Sequence, residues 1–226
     1  ESWHVLAVRG PLTAQALGLP GTTAVTDGAA LIRHLRPELS EGAPIDCGWM
    51  PHVASLEFVD AQALAARNGL HFLDPRRDPW ELMGEMARCR KIVTEALHGA
   101  IVADALRVPW VPLKQFRQVN EFKWRDWLQS MELDAVRLHE APEDFSDDML
   151  RRIADHKLGP AGVGPLPPLV AKAYGAWQGL RVRPRVDAVF SRLRETDGHL
   201  SRDGVLEDRC ARILELVEDL RRSRGP

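Results

Sequence analysis

Cysteine is scarce in this chain. Cys47, Cys89 and Cys210 are the only three among 226 residues, and they lie far apart. An odd, scattered set builds no disulfide framework, offers no cysteine pair to zinc, and fits a reducing compartment. The histidines show no close pairing with cysteine or carboxylate either, so no metal site is expected. Charge of one sign is missing as well. Thirty-two acids against 30 bases leave a formal charge of −2, which gives no footprint for a nucleic-acid partner. The short basic stretch Arg181-Val182-Arg183-Pro184-Arg185 reads as a solvated face beside interleaved acids. No apolar run is long enough to span a bilayer, no signal peptide is visible, and there is neither an internal repeat nor a low-complexity segment. A starting methionine is absent too. The chain opens at Glu1 directly in a strand-like run, which suggests that an N-terminal part is missing.

What is present is alternation. His4–Val8 reads as a short strand, Leu12–Leu17 as a helix between Pro11 and Gly18, Thr23–Thr26 as a second strand, and Ala29–Leu35 as a helix after Asp27-Gly28. Pro37–Pro44 is a Pro/Gly-bearing connector and the expected boundary. Strands are then predicted over Ile45–Met50, Leu70–Leu73, Lys91–Ala96 and Val108–Leu113. Helices are predicted over Ser55–Asn68, Pro79–Arg88 and Gly99–Leu106. Strand and helix in turn are the pattern of an α/β protein with a parallel, doubly wound sheet. Phe116–Leu128 is expected to be a helix lying across the domain, with loops over His139–Asp148 and Gly159–Pro168. Helical spacing of Val182, Val186, Val189, Phe190 and Leu193, and of Leu206, Cys210, Ile213, Leu214, Val217 and Leu220, predicts a C-terminal helical hairpin. The tryptophans are scattered through these elements, so core packing is their default use.

The stretch Lys91-Ile92-Val93-Thr94-Glu95-Ala96-Leu97-His98-Gly99-Ala100 carries the most chemical information. A β-rich run gives way at once to a helix. Helix N-termini present unpaired N–H groups and the positive end of a dipole, which attract anions. His98 at that point either binds an anion and moves a proton, or simply caps the helix. His52, Asp74, Glu95 and His98 all fall at predicted strand ends, where parallel sheets bind ligands.

Two blocks, Val8-Arg9-Gly10-Pro11-Leu12-Thr13-Ala14 and Glu95-Ala96-Leu97-His98-Gly99-Ala100-Ile101-Val102-Ala103, stand in order with Thr26-Asp27-Gly28 and Gly48-Trp49-Met50-Pro51-His52 between them. Together they resemble the polysaccharide pyruvyl transferase family, and most closely its bacterial exopolysaccharide branch of succinoglycan type. The resemblance runs from residue 3 to about residue 130. It implies two Rossmann-like halves in a glycosyltransferase-B-like arrangement. Residues 1–42 would end the first half, 43–139 would form the second, and 140–226 would supply a loop and the C-terminal helices. It also implies transfer of pyruvate from phosphoenolpyruvate, as donor substrate and without a cofactor, to two hydroxyls of a sugar unit. The acceptor would be a glycan or lipid-linked oligosaccharide. The protein would be cytoplasmic, either free or peripherally associated with the inner face of the cell membrane.

Phosphoenolpyruvate is a small trianion, so its site needs cations and oriented N–H donors. The candidate substrate contacts are Arg9, Gly10, His52, Leu97, His98 and Gly99, of which the resemblance carries over His98 and favours Arg9. Arg9 sits between a strand end and a helix start, where a guanidinium grips phosphate or carboxylate; the plainer alternative is a surface salt bridge. His98 is the candidate proton donor and Glu95 the candidate base, with orientation of His98 or its loop the alternative for Glu95. His52 either lines the cleft or makes a structural loop hydrogen bond. Some family members carry arginine where this chain has Ala96, and Lys114 or Arg117 is the expected stand-in. Asp27 and Asp74 read as turn residues. Two other uses stay open: a sugar-nucleotide glycosyltransferase of similar architecture, and a truncated homologue that binds without turnover.

Overall fold

The structure, a computed structural model, describes residues 4–35, 42–146, 149 and 168–224. Five short strands form its sheet: β1 (Gly48–Met50), β2 (His71–Phe72), β3 (Ile92–Thr94), β4 (Trp110–Lys114) and β5 (His139–Glu140). All pairings are parallel, in the order β2-β1-β3-β4-β5. The central register sets Gly48 against Ile92, Trp49 against Val93 and Met50 against Thr94. Every residue of β1 and β3 is buried, as a parallel sheet covered on both faces requires. The strand order reverses between β1 and β3, so the crevice above their carboxyl ends is the topological switch point.

The helices are α1 (Pro11–Ala16), α2 (Ile32–Leu35), α3 (Ala61–Arg67), α4 (Pro79–Arg88), α5 (Leu97–Ala105), α6 (Glu121–Ser130), α7 (Pro168–Trp177), α8 (Arg183–Glu195) and α9 (Asp203–Arg224). Local chemistry starts them: the Asp60, Asp78 and Asn120 side chains accept N–H groups of the first turns of α3, α4 and α6. Gly18 and Gly69 follow α1 and α3 with φ of +64° and +62°, a left-handed turn that a residue with a Cβ adopts only under strain.

Two apolar layers flank the sheet. Leu82, Met86, Ile101, Trp124, Trp127, Leu206 and Cys210, from α4, α5, α6 and α9, pack with Ile92 and Trp110 on one face. Leu64, Val186, Phe190 and Leu193, from α3 and α8, pack with Trp49, Val93 and Val111 on the other. The C-terminal helices therefore do not make the expected hairpin, because α8 and α9 lie on opposite faces. Between them the chain passes the start of β4, where the Trp110 N–H bonds the His199 carbonyl at 3.1 Å and the His199 N–H bonds back at 2.8 Å. Buried Asp104 fastens this crossing by accepting the Ser201 N–H at 2.8 Å, the Ser201 hydroxyl at 2.5 Å and the Trp110 indole N–H at 3.2 Å.

Other expectations shift at their edges. The predicted strands His4–Val8 and Thr23–Thr26 shrink to one parallel bridge, Val8 with Ala24, and among the described residues no strand of the sheet pairs with either. The helix expected over Ser55–Asn68 breaks into a 3₁₀ turn (Val53–Glu57) and α3, since the Asp60 side chain caps a new start. β5 occupies the first residues of a segment read as loop. Trp49, Trp110, Trp124 and Trp127 are core residues, whereas Trp80 is exposed. Most of the connector over 37–44 and of the loop over 159–168 lies outside the described residues.

Candidate functional site

The turn between β3 and α5 is closed by Thr94, whose hydroxyl accepts the Ala96 N–H and donates to the Ala96 carbonyl, both at 3.0 Å. The helix begins at Leu97, so His98 stands inside its first turn and is not a cap. No side chain caps α5, and the N–H groups of Leu97, His98 and Gly99 have no partner among the described residues. Three open N–H donors thus face the crevice with the positive end of the helix dipole behind them. Gly99 permits this seating: a Cβ there would stand 2.5 Å from the Thr94 hydroxyl and 2.8 Å from the Met50 sulfur.

Above this helix start opens a cleft of about 780 Å³. Its apolar lining comes from Met50, Leu82, Met83, Met86 and Val102 and its polar lining from Arg9, Asp27, His52, His98 and Lys123, with Glu95 buried in the wall behind His52. The imidazole of His98 is largely exposed, with Nε2 3.6 Å from Asp27 Oδ2. Arg9 Nε lies 3.8 Å from that same oxygen and 3.9 Å from Asp126 Oδ2, and is buried without a hydrogen bond. Burial would raise the pKa of Asp27. The close approach of His98, the Ala29 N–H and the charges of His98 and Arg9 outweigh it and hold that carboxyl below the usual range.

Asp27 is a site residue that sequence reasoning set aside as a turn former. It is one, since its side chain accepts the Ala29 N–H at 3.0 Å. Its second oxygen, however, joins Arg9 to His98. The only sequence signal was its place in the Thr26-Asp27-Gly28 block.

Glu95 is fully buried and holds loops together. Oε1 accepts the N–H groups of Gln115 at 2.9 Å and Phe116 at 3.3 Å; Oε2 accepts that of His52 at 3.2 Å. The Ser55 side chain bonds the same carboxyl, and burial still holds its pKa above the ordinary value. With four donors directed at it, Glu95 has no oxygen free for a substrate hydroxyl, and its geometry is that of a positioning residue. His52 is held through that bond, and its Nδ1 accepts the Ala54 N–H at 3.2 Å. Burial and then the Lys123 charge depress its pKa, which favours the neutral ring. His52 both lines the cleft and makes a structural bond.

Gly10 is not a cleft residue. It is buried where α1 meets α6, and a Cβ there would fall 2.0 Å from the Asp126 carbonyl oxygen. Asp126 secures the contact by accepting the Thr13 N–H at 3.0 Å and the Thr13 hydroxyl at 2.5 Å. Gly10 thereby sets where neighbouring Arg9 stands. The expected stand-ins for a cation at Ala96 are also misplaced. Lys114 pairs with Glu121 and Glu140 in a separate hollow, and Arg117 does not line the cleft. The added cation is Lys123 of α6, which makes no ion pair with a described residue. Nothing in its local sequence marked it, because its place depends on how α6 packs.

A doubly wound α/β sheet with a cationic cleft at its switch point is the class these features define. The chain belongs to the polysaccharide pyruvyl transferase family, whose description matches residues 1–115. Over 132 residues it is 34% identical to the succinoglycan biosynthesis protein ExoV of Rhizobium meliloti (strain 1021), an alignment covering 58% of this chain. The chain spans about two fifths of that relative's length (42%). No solved structure matches it. The family match contains Arg9, Asp27, His52, Glu95 and His98, while Lys123 lies beyond it. Among the described residues no helix is long and apolar enough to cross a membrane.

Proposed function

We propose that this chain takes part in moving the pyruvyl group of phosphoenolpyruvate onto two hydroxyls of a polysaccharide sugar unit. The observation that carries the proposal is the convergence of Arg9, Lys123, His98 and the uncapped start of α5 on one cleft with an apolar lining. Such a site suits a small, multiply charged anion whose carboxylate and phosphate need separate cations. Family membership and the likeness to a succinoglycan biosynthesis protein support pyruvyl transfer as the use of that anion.

In this reading Arg9 and Lys123 hold the two anionic groups, and the N–H groups of Leu97, His98 and Gly99 bind phosphate oxygens. His98, oriented by Asp27, gives its proton to the methylene carbon of the enol. One sugar hydroxyl attacks the adjacent carbon and its proton returns to His98; the C–O bond to phosphate then breaks, and the second hydroxyl closes the ketal as its proton leaves with the phosphate. Glu95 keeps the His52 loop and the β4 exit in place. The acceptor is a glycan or lipid-linked oligosaccharide at the cytoplasmic face of the membrane. The full protein places two Rossmann-like halves around the cleft, with residues 1–42 closing the first and 43–139 forming the second.

Calorimetric titration of phosphoenolpyruvate tests the donor site. Loss of one charge-assisted contact in Arg9→Ala, Lys123→Ala or His98→Ala is expected to weaken binding by roughly tenfold to a hundredfold. Saturable binding indifferent to all three substitutions would place the donor elsewhere.

A further inference from the structure

A second surface stands apart from the cleft, on the helical segment that runs from α7 through the π turn Gln178–Val182 into α8. Its inner side is satisfied: Gln178 and Val182 are buried, and Val182 packs with Val186 and Phe190 against the sheet. Its outer side is not. Tyr174, Trp177 and Leu180 are 44%, 49% and 77% exposed, at the i, i+3, i+6 spacing of neighbouring turns. The two rings stack on each other with centroids 5.3 Å apart and an interplanar angle of 30°, which leaves their outer faces to solvent.

Charge marks the same segment. No aspartate or glutamate occurs between Asp155 and Asp187, so no acid of the segment itself neutralises Arg181 or Arg185, while Arg183 between them pairs with Asp144. Lys172, Arg181 and Arg185 are exposed and make no ion pair with any described residue. Many other surface bases do have acids beside them: Arg67 pairs with Asp144 and Asp187, Arg77 with Glu81 and Glu85, and Arg202 with Glu132, whereas Lys123 of the cleft has none among the described residues.

We infer that the outer side of this segment docks on an anionic lipid surface, with Tyr174, Trp177 and Leu180 entering it, Arg181 and Arg185 beside them, and Lys172 adding longer-range attraction. Tyrosine and tryptophan settle at headgroup depth, where the ring is buried and the polar edge stays wet. Leu180 adds an apolar insertion, and unpaired bases supply attraction to anionic headgroups. Complementary charge chooses lipid over a glycan. A sugar platform sets carboxylates or amides beside its rings, and here the acids are missing and the amide of Gln178 is buried. Docking needs neither donor nor acceptor, so it stands or falls independently of pyruvyl transfer.

Vesicle flotation of the whole chain tests the inference, comparing phosphatidylglycerol–phosphatidylcholine vesicles with pure phosphatidylcholine. The wild-type chain is expected to float with the anionic vesicles only, and to be released by salt. Y174A/W177A/L180A and K172E/R181E/R185E should each lower partitioning by about tenfold or more. All six side chains are exposed, so both variants should keep the wild-type urea midpoint. Brominated lipid should quench wild-type tryptophan emission, and W177F should remove that quenching. Absence of binding to anionic vesicles overturns the inference, as does binding that neither variant changes. Self-association in sedimentation that both variants abolish, without vesicle binding, also overturns it and assigns the face to a second copy of the chain.

Discussion

Replacing Glu95 by glutamine separates a loop fastener from a catalytic base. The carboxylate accepts three backbone N–H groups and the Ser55 side chain in a site with no solvent access. A glutamine oxygen still serves Gln115 and Phe116, and Ser55 can turn to accept from the new amide. The amide then meets the His52 N–H donor to donor. One buried N–H without an acceptor costs about 1–3 kcal/mol, and two remaining bonds weakened from charged to neutral cost about 1 kcal/mol more. Relief from burying a charge returns part of this, since burial already lifts the pKa of Glu95. The net expectation is a loss of about 2 kcal/mol. With an m-value of about 2 kcal/mol/M or more, the urea midpoint should fall by up to about 1 M with m unchanged. On the proposed function, pyruvyl transfer should fall together with stability and recover in part when osmolyte restores the fold. A variant with the wild-type midpoint and no turnover would refute the positioning role and return Glu95 to proton transfer.

Asp27→Asn should flatten the acid limb of stability. The depressed folded pKa makes the contribution of Asp27 fully present above its unfolded value of about 3.9, and lost as pH falls through the folded one. Urea midpoints measured from neutral pH to strong acid should show this loss in the wild type and not in the variant. Gly10→Ala forces a Cβ onto the Asp126 carbonyl and should cost about 1–3 kcal/mol, read as a lower thermal midpoint; an unchanged midpoint would mean that α1 yields freely. Asp104→Ala strips the buried indole N–H of Trp110 and the N–H of Ser201 of their acceptor, for about 3 kcal/mol. Hydrogen exchange should then speed up at His199–Ser201 before it does in β1 and β3, and uniform acceleration would show that the crossing is no separate latch.

Much of the sheet was legible because its signals are local. The β-rich runs read as ending at Met50, Ala96 and Leu113, the proline at the start of α4 and the glycines after α1 and α3 act within a few residues, and the observed strands end within two residues of those points, at Met50, Thr94 and Lys114. Alternation of strand with helix fixed the parallel class, since a parallel pair needs a crossover, and it placed His52, Glu95 and His98 at strand ends near one crevice. The rest is decided by contacts that no local pattern encodes. Asp27 meets His98 only because residues 26–31 lie on α5, and Lys123 reaches the cleft only through the packing that sets Gly10 on Asp126. Helical periodicity announced that α8 and α9 each have an apolar side, yet it carries no information about which layer receives it. The pairing of Trp110 with His199, fastened by Asp104, sends the two helices to opposite faces, and those contacts exist only once the sheet has formed.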